Sequence, residues 1–450
     1  MTTVVSIVGG GLAGSECAWQ LAERGHKVIL YEMRGGAEGV TTPAHRSNQL
    51  AELVCSNSFG SQTDYSAPGQ LKWEAEKLGS LILKSAQESA VPAGMALGVD
   101  REVFAKNITN ALSQHPNIEI RRERVTDLNS LPRPLVIASG PLTNEKLAES
   151  LRDHLSYGEE ESDYLYFFDA IAPVIDTDTI DMSIAFKADR FGQGTSDYIN
   201  CPMDRDTYFR FIQAIQKARK IEPKEFEKDT PYFEGCMPIE AMVERGELTP
   251  RFGPMSSSGL TDPRTGRRPF AVVQLRQENR EATAYNMVGF QTKMAYGDQK
   301  EVFKMIPGLE NAEFLKLGSI HRNLYIHSPR KLTAHLTSRR DTQIYFAGQI
   351  TGVEGYFDST CIGLLVGLFI DDELNGRAPL LPPRESAMGS LLNAITEYKE
   401  HFQPTNINFG LFPSLTVDTK NQEQRKVKRE LQLQRAKETF LNWLQARKLI

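Results

Sequence analysis

The chain opens on a β-branched, apolar run, TVVSIV at residues 3–8, which breaks into GGGLAG and then sets Cys17, Ala18, Leu21 and Ala22 at helical spacing before Gly25 and KVILYE. A continuous apolar stretch, a glycine break, a period near 3.6 and a second apolar stretch predict strand, tight turn, helix and strand. Two more runs, PRPLVIASG at 132–140 and DTQIYFAGQITGVEGY from Asp341, have the same texture and also end in small residues. Strands buried on both faces read this way, so the three runs predict one parallel sheet assembled from distant segments.

From about residue 150 to 330 the sequence becomes charged, aromatic and proline-punctuated, with strand-like runs RPFAVVQLR and YNMVGFQT. The expected organisation is α/β: a Rossmann-like dinucleotide-binding domain with an inserted α+β second domain. Residues 1–150 are expected to form the first part of the dinucleotide-binding domain, 151–330 the inserted substrate domain, and 331–450 the second part. From Lys420 to Ile450 nine Lys and Arg face three Glu, with Val427, Leu431, Phe440, Leu441 and Leu444 near helical spacing. That pattern predicts a basic amphipathic helix or pair of helices.

A chain of 450 residues with 40% hydrophobic content can bury one large or two ordinary cores without staples. Cys17, Cys55, Cys201, Cys236 and Cys361 stand far apart, which argues against a zinc site or a disulfide framework and for a reducing compartment; no metal is expected. The N-terminus lacks the features of a signal peptide and no apolar run reaches membrane-spanning length, so the expected location is cytoplasmic, with no membrane partner. A formal net charge of −5 gives no global sign of nucleic-acid binding. Contact with RNA then needs a local patch such as the C-terminal one, and DNA is not expected.

Gly9, Gly11 and Gly14, with Gly10, Leu12 and Ala13 between them, match the turn in which successive glycines allow the bend, the approach of a pyrophosphate and close helix packing. The phosphate then meets the helix N-terminus. Glu32 ends the next strand, where an acid bonds a ribose hydroxyl and favours NAD or FAD over a 2′-phosphorylated ligand. FAD is the better choice, because Gly348, Gln349 and the glycine-rich TGVEGY return to the same sheet to hold the far end of an extended cofactor. There is no second glycine fingerprint with the right flanks, so a nicotinamide donor has no dinucleotide fold of its own.

Cys55 in AELVCSNSF and Cys236 in YFEGCMPIEAM read either as small buried hydrophobes or as nucleophiles. Cys55 has no second cysteine within a few residues, which removes a disulfide-reductase reading. The blocks GGGLAGSE, TPAH, AELVCSNS, VPAG, LGVDRE, ASGPLT, FFDAIAPV, YINCPM, YFEGCMPIE, NMVGFQTK, FKMIPGLENAEF, the HRN from His321 and FAGQITGVEGY follow one another from residue 4 to about residue 412. In order and spacing they resemble the TrmFO family of folate- and FAD-dependent transfer-RNA methyltransferases. The chain departs from that pattern at HRSNQ (45–49), at Met95 and at YFDSTC (356–361).

The resemblance implies conversion of the T-loop uridine of tRNA at position 54 to 5-methyluridine. The one-carbon unit would come from 5,10-methylenetetrahydrofolate by way of reduced flavin, with NADPH or NADH as reductant and the T-arm as the partner surface. It implies that the Cys236 thiol adds to uracil C6, the step that makes C5 nucleophilic. Cys55 would lie near the isoalloxazine, as a base for the C5 proton or as a cap on the flavin methylene. Glu354 reads as a pterin-binding carboxylate or a loop-capping acid, and His321, Arg322 and Asn323 as folate contacts, RNA-phosphate contacts or ordinary loop residues. The larger relative, GidA or MnmG, modifies wobble uridine and carries an added helical domain, so the shorter family is favoured. Two further readings are a flavin oxidoreductase acting on a small metabolite and a flavoprotein scaffold without turnover.

Overall fold

The opening run is a strand, β1 (Val4–Val8), followed by the helix α1 (Leu12–Glu23) and a second strand, β2 (Lys27–Tyr31). The computed structural model describes residues 3–40, 42, 44–156, 164–192, 196–221, 237–399, 402–415 and 422–448. Three later strands, β3 (Ile118–Arg121), β4 (Leu135–Ile137) and β5 (Ile344–Phe346), complete a five-stranded sheet of order β5-β4-β1-β2-β3, parallel throughout. Leu135 lies in register with Ser6 on one side and Ile344 on the other. The crossover between β4 and β5 therefore contains a whole second lobe.

The helix α2 (Tyr356–Leu374) is buried on nearly every side. It crosses α1 at glycines: a Cβ on Gly363 would stand 2.2 Å from the Ala13 carbonyl oxygen and one on Gly367 2.9 Å from the Gln20 Cβ. Small residues at that crossing let two helix backbones touch. The dinucleotide turn and the C-terminal glycine segment are thereby held against each other.

The second lobe is a six-stranded antiparallel sheet, with 186–187, 199–203, 271–277, 284–287, 174–176 and 314–316 in spatial order. Its own core includes Ile199, Met203, Phe211, Val273, Leu275, Tyr285 and Phe290. A two-stranded ribbon, 164–171 against 319–326, flanks it in the chain. The helix Glu145–Leu155 before that ribbon packs Leu147, Leu151 and Leu155 into the first core, and Leu332 and Leu336 after it do the same.

The basic C-terminal stretch forms a helix, α3 (Gln422–Ala446). Ala436, Phe440, Trp443 and Leu444 enter the first core, and Phe440 meets Trp73 edge-on with ring centroids 6.2 Å apart. Val427 and Leu431 are exposed, so the apolar stripe is covered only in the second half of the helix. Several of its cations are used in packing: Arg435 donates to the Pro413 carbonyl, Arg447 pairs with Asp372 at 2.6 Å, and Arg429 and Lys437 lie over the Phe409 and Trp73 rings. Among the described residues no helix is long and apolar enough to cross a membrane, and no group of acidic, His and Cys side chains is arranged to hold a metal.

Candidate functional site: a cleft at the dinucleotide turn

Where β1 ends, the chain makes a bend that only glycine tolerates. Gly9 has φ +108°, and a Cβ there would stand 2.4 Å from the Ala138 carbonyl oxygen at the end of β4. On Gly14 it would stand 1.9 Å from the Gly9 carbonyl oxygen, so α1 can start this close to β1 only with hydrogen in that place. Gly348, at φ +79°, approaches Ala13 in the same manner. Gly11 differs: among the described residues no other atom lies within 4 Å of where its Cβ would be. Gly11 is the N-cap of α1 and supplies no side-chain cap, leaving the first N–H groups of the helix to face that open space. The arrangement suits a phosphate, which the helix N-terminus attracts through those groups and its dipole.

The space continues into a cleft of about 290 Å³ whose lining includes Gly11, Glu32, Cys55, Asn323, Gln349 and Glu354. The Gln349 carboxamide is buried, and neither its oxygen nor its nitrogen has a partner among the described residues. A buried amide left unpaired is destabilising, so this one fits a ligand that offers both a donor and an acceptor. The turn, the uncapped helix end and Gln349 are together compatible with a dinucleotide such as FAD.

Glu32 stands at the end of β2. One carboxylate oxygen accepts from Gly10 N at 3.1 Å and the other from Arg34 N and Nε, both at 3.0 Å. Arg34 is itself buried and donates onward to Ser47 O at 3.0 Å, Gln49 O at 3.0 Å and Glu52 Oε2 at 3.1 Å. Burial raises the Glu52 carboxyl, but donation from the Arg46 and Ser47 amides and the Ser47 hydroxyl outweighs it and holds the group below the usual range. Burial, aided by the nearby Arg34 charge, pushes the His45 imidazole down to about 4.

Three consecutive carbonyl groups leading to the half-buried Cys55 are held by cations. Arg101 donates to Leu53 O and Cys55 O, both at 2.9 Å, and Lys316 Nζ donates to Val54 O at 3.2 Å. Cys55 N donates to the Tyr356 hydroxyl at 2.7 Å, tying the segment to the first residue of α2. Arg101 forms two bonds, 2.8 and 2.9 Å, to Glu278 of the second lobe. Burial, with the Arg101 and Arg46 charges, pushes the Lys316 amine down to about 8. Asn57, fully buried, donates to Gln277 O at 2.9 Å and accepts from Arg276 Nε at 3.2 Å. The Cys55 segment is thus part of the seam between the lobes.

Cys17, Cys201 and Cys361 are buried packing residues whose thiols burial pushes up, that of Cys201 to about 12. Cys236 lies outside the described residues, as do the side chains of His321 and Arg322; Asn323 is buried and lines the cleft. The residues expected from the glycine pattern, Glu32, Gly348, Gln349, Glu354 and Cys55 line one cleft with Gly9, Gly10, Gly11, Leu12 and Ala13. Gly14 supports the turn from behind. Sequence reasoning passed over Arg34, Arg101, Glu278 and Lys316. Arg34 carries a faint signal, a cation two residues past the acid that ends β2, whereas the other three carry none, because their partners lie far along the chain.

The family model described as glucose inhibited division protein A matches residues 4–378. A relative from Bdellovibrio bacteriovorus, named methylenetetrahydrofolate--tRNA-(uracil-5-)-methyltransferase TrmFO, is 62% identical over 426 residues, 94% of this chain and 95% of its own. One of the same name from Aquifex aeolicus is 47% identical over 450 residues, covering 100% of this chain and 98% of its own. Among solved structures, GidA of Aquifex aeolicus in its form II crystal superposes with a TM-score of 0.67 at 15% identity, covering 97% of this chain and 73% of that one, which shows a shared fold. With identities of 62% over 94% of the chain and 47% over all of it, the chain belongs to the TrmFO family, within the wider group that the glucose inhibited division protein A model describes.

Proposed function

We propose that the chain is a folate-dependent tRNA uracil-5-methyltransferase that transfers a one-carbon unit from 5,10-methylenetetrahydrofolate to C5 of the T-loop uridine at position 54. It uses FAD in the cleft and NADPH or NADH as reductant. The observation that carries this reading is that Cys55 lines the same cleft as the glycine turn and Glu32. Bound there, FAD supplies two-electron chemistry at its isoalloxazine ring. The turn from Gly9 to Gly14 and the start of α1 hold the pyrophosphate, Glu32 accepts from ribose hydroxyls, and Gln349 offers its unpaired amide to the ring edge. Glu354 accepts the paired N–H groups of a pterin.

Cys236 adds as thiolate to uracil C6, and the ring electrons move toward C5, which then forms its bond to the one-carbon unit. Loss of the C5 proton detaches the carbon from its carrier as an exocyclic methylene, and a hydride, which reduced flavin would supply, turns that methylene into methyl as the thiolate leaves C6 and the aromatic ring returns. Cys55 is the candidate base for that proton. The part given to Cys236 rests on the family resemblance. The exposed half of α3, with Arg425, Lys426, Lys428 and Arg429, offers positive charge to the tRNA backbone.

The test is transfer of label from methylene-labelled methylenetetrahydrofolate, with NADPH, into an unmodified tRNA transcript. The expected product is labelled 5-methyluridine in the T loop, absent when that uridine is changed to cytidine. Label at the wobble position, or yellow protein that labels no RNA, would overturn the reading.

A further inference from the structure

The segment from Ser47 to Cys55 runs from the ribose acid to the thiol with both ends fastened. At its start, one buried guanidinium joins it to Glu32: Arg34 Nε bonds Glu32 Oε1, while Nη1 and Nη2 hold Ser47 O, Gln49 O and Glu52. In its middle, Ala51 N donates to Gly10 O at 2.8 Å and Leu50 N to Thr109 Oγ1 at 2.8 Å, and the Leu50 side chain lies against Gly10. At its end, the carbonyl groups of Leu53, Val54 and Cys55 are held by Arg101 and Lys316. The contacts at the start pass through Arg34, Glu52 and the dinucleotide turn.

From this geometry we infer that Arg34 is a positioning residue that couples the adenosine half of the cleft to Cys55: a ligand that engages Glu32 and the turn stiffens the strap that presents the thiol. The physical reason lies in shared groups. Glu32 and Gly10 belong both to the ligand end and to the strap, so fixing them lowers the freedom of the segment bonded to them. Arginine is required because its planar fork reaches the Glu32 carboxylate, the Glu52 carboxylate and two carbonyl groups at once, which the single point donor of lysine cannot do. This inference rests on the cleft being the FAD site.

The experiment is hydrogen exchange on the full-length protein stripped of flavin, with saturating ADP as probe, because ADP carries no isoalloxazine to cover Cys55. Amides of 46–55 should exchange about tenfold more slowly with ADP in wild type, with parallel slowing of Cys55 alkylation read by peptide mass spectrometry. Arg34→Met, at equal ADP occupancy, should lose most of both effects, because only the Ala51 N to Gly10 O bond and the Leu50 contact then join the strap to the turn. Glu52→Gln, which removes one anchor and keeps the guanidinium, should show a reduced effect, and it serves as the reporter if Arg34→Met does not fold. Equal slowing in wild type and both variants, or no slowing in wild type with ADP bound, would overturn the coupling while leaving the FAD site standing. Failure of wild type to bind ADP would overturn both.

Discussion

The dinucleotide turn and the seam between the lobes both bring distant backbone segments together, but by opposite means. At the turn, backbone meets backbone with no side chain between, and a Cβ on Gly14 would fall 1.9 Å from a carbonyl oxygen. At the seam, long charged side chains span the gap, with Arg101 reaching Leu53 O, Cys55 O and Glu278. A contact with no spare volume fails when an atom is added, whereas a contact made by a long side chain fails when its charge is removed. The turn is therefore the rigid half of the site, and the seam is the half that can adjust.

The sharpest break should come at Gly14. Alanine inside a helix ordinarily stabilises by up to about 1 kcal/mol relative to glycine. Here the clash with Gly9 should reverse the sign, with Gly14→Ala destabilised by about 3 kcal/mol in denaturant melts and recovered with little FAD. Gly11→Val is the control within the same turn, since its side chain enters open space: folded but colourless protein is expected. A folded, fully yellow Gly11→Val variant would place the cofactor elsewhere.

At the seam, Arg101→Met should cost about 3 kcal/mol, because Glu278 and two carbonyl groups lose their partner in a largely buried place. Adding Glu278→Gln should restore about 1 kcal/mol. Purely additive losses in that double-mutant cycle would mean that the pair does not act as a unit.

Two buried carboxylates extend the contrast to pH. Glu278 faces the Arg101 cation, whereas Glu74 accepts from neutral groups, the Ala387 and Met388 amides and the Gln70 carboxamide, and burial holds it up at about 7. Its native pKa lies above the unfolded value near 4.5, so the folded state keeps a proton that the unfolded chain has released. The stability contributed by Glu74 is full below about 4.5 and is lost as pH rises to about 7. Glu74→Gln should flatten unfolding free energy against pH across that window. An unchanged profile would show that Glu74 titrates normally.

The smallest effect on the fold should come from α3. Reversing Arg425, Lys426, Lys428 and Arg429 to Glu should change stability by no more than about 1 kcal/mol, because the four side chains lie at the surface, Arg429 over the Phe409 ring. Affinity for tRNA should fall and its dependence on salt flatten, as fewer counterions are released. An unchanged salt slope would move the RNA surface to the second lobe.

Much of the first lobe is legible in the order of its residues. TVVSIV, GGGLAG and KVILYE encode their strand, turn and helix within a few residues, and the spacing from Gly9 to Glu32 is set by one strand-helix-strand unit. The apolar stripe of α3 is legible in kind but not in extent. Nothing in its periodicity says that Phe440 and Leu444 find a core while Val427 and Leu431 stand in solvent. That depends on where Trp73 and the rest of the first core lie.

What the sequence determined by itself is what short-range sterics determine: which runs are strands, where only glycine can turn, and that an acid ends the strand after the turn. What tertiary structure alone decided is which charges hold the Cys55 segment. Arg101 meets Leu53 across 48 positions of sequence, Glu278 across 177 and Lys316 meets Val54 across 262. A hydrogen bond to a backbone carbonyl leaves no mark on the partner's residue type, because every residue carries that carbonyl. Such contacts become visible only once the chain has folded and brought the donors to them.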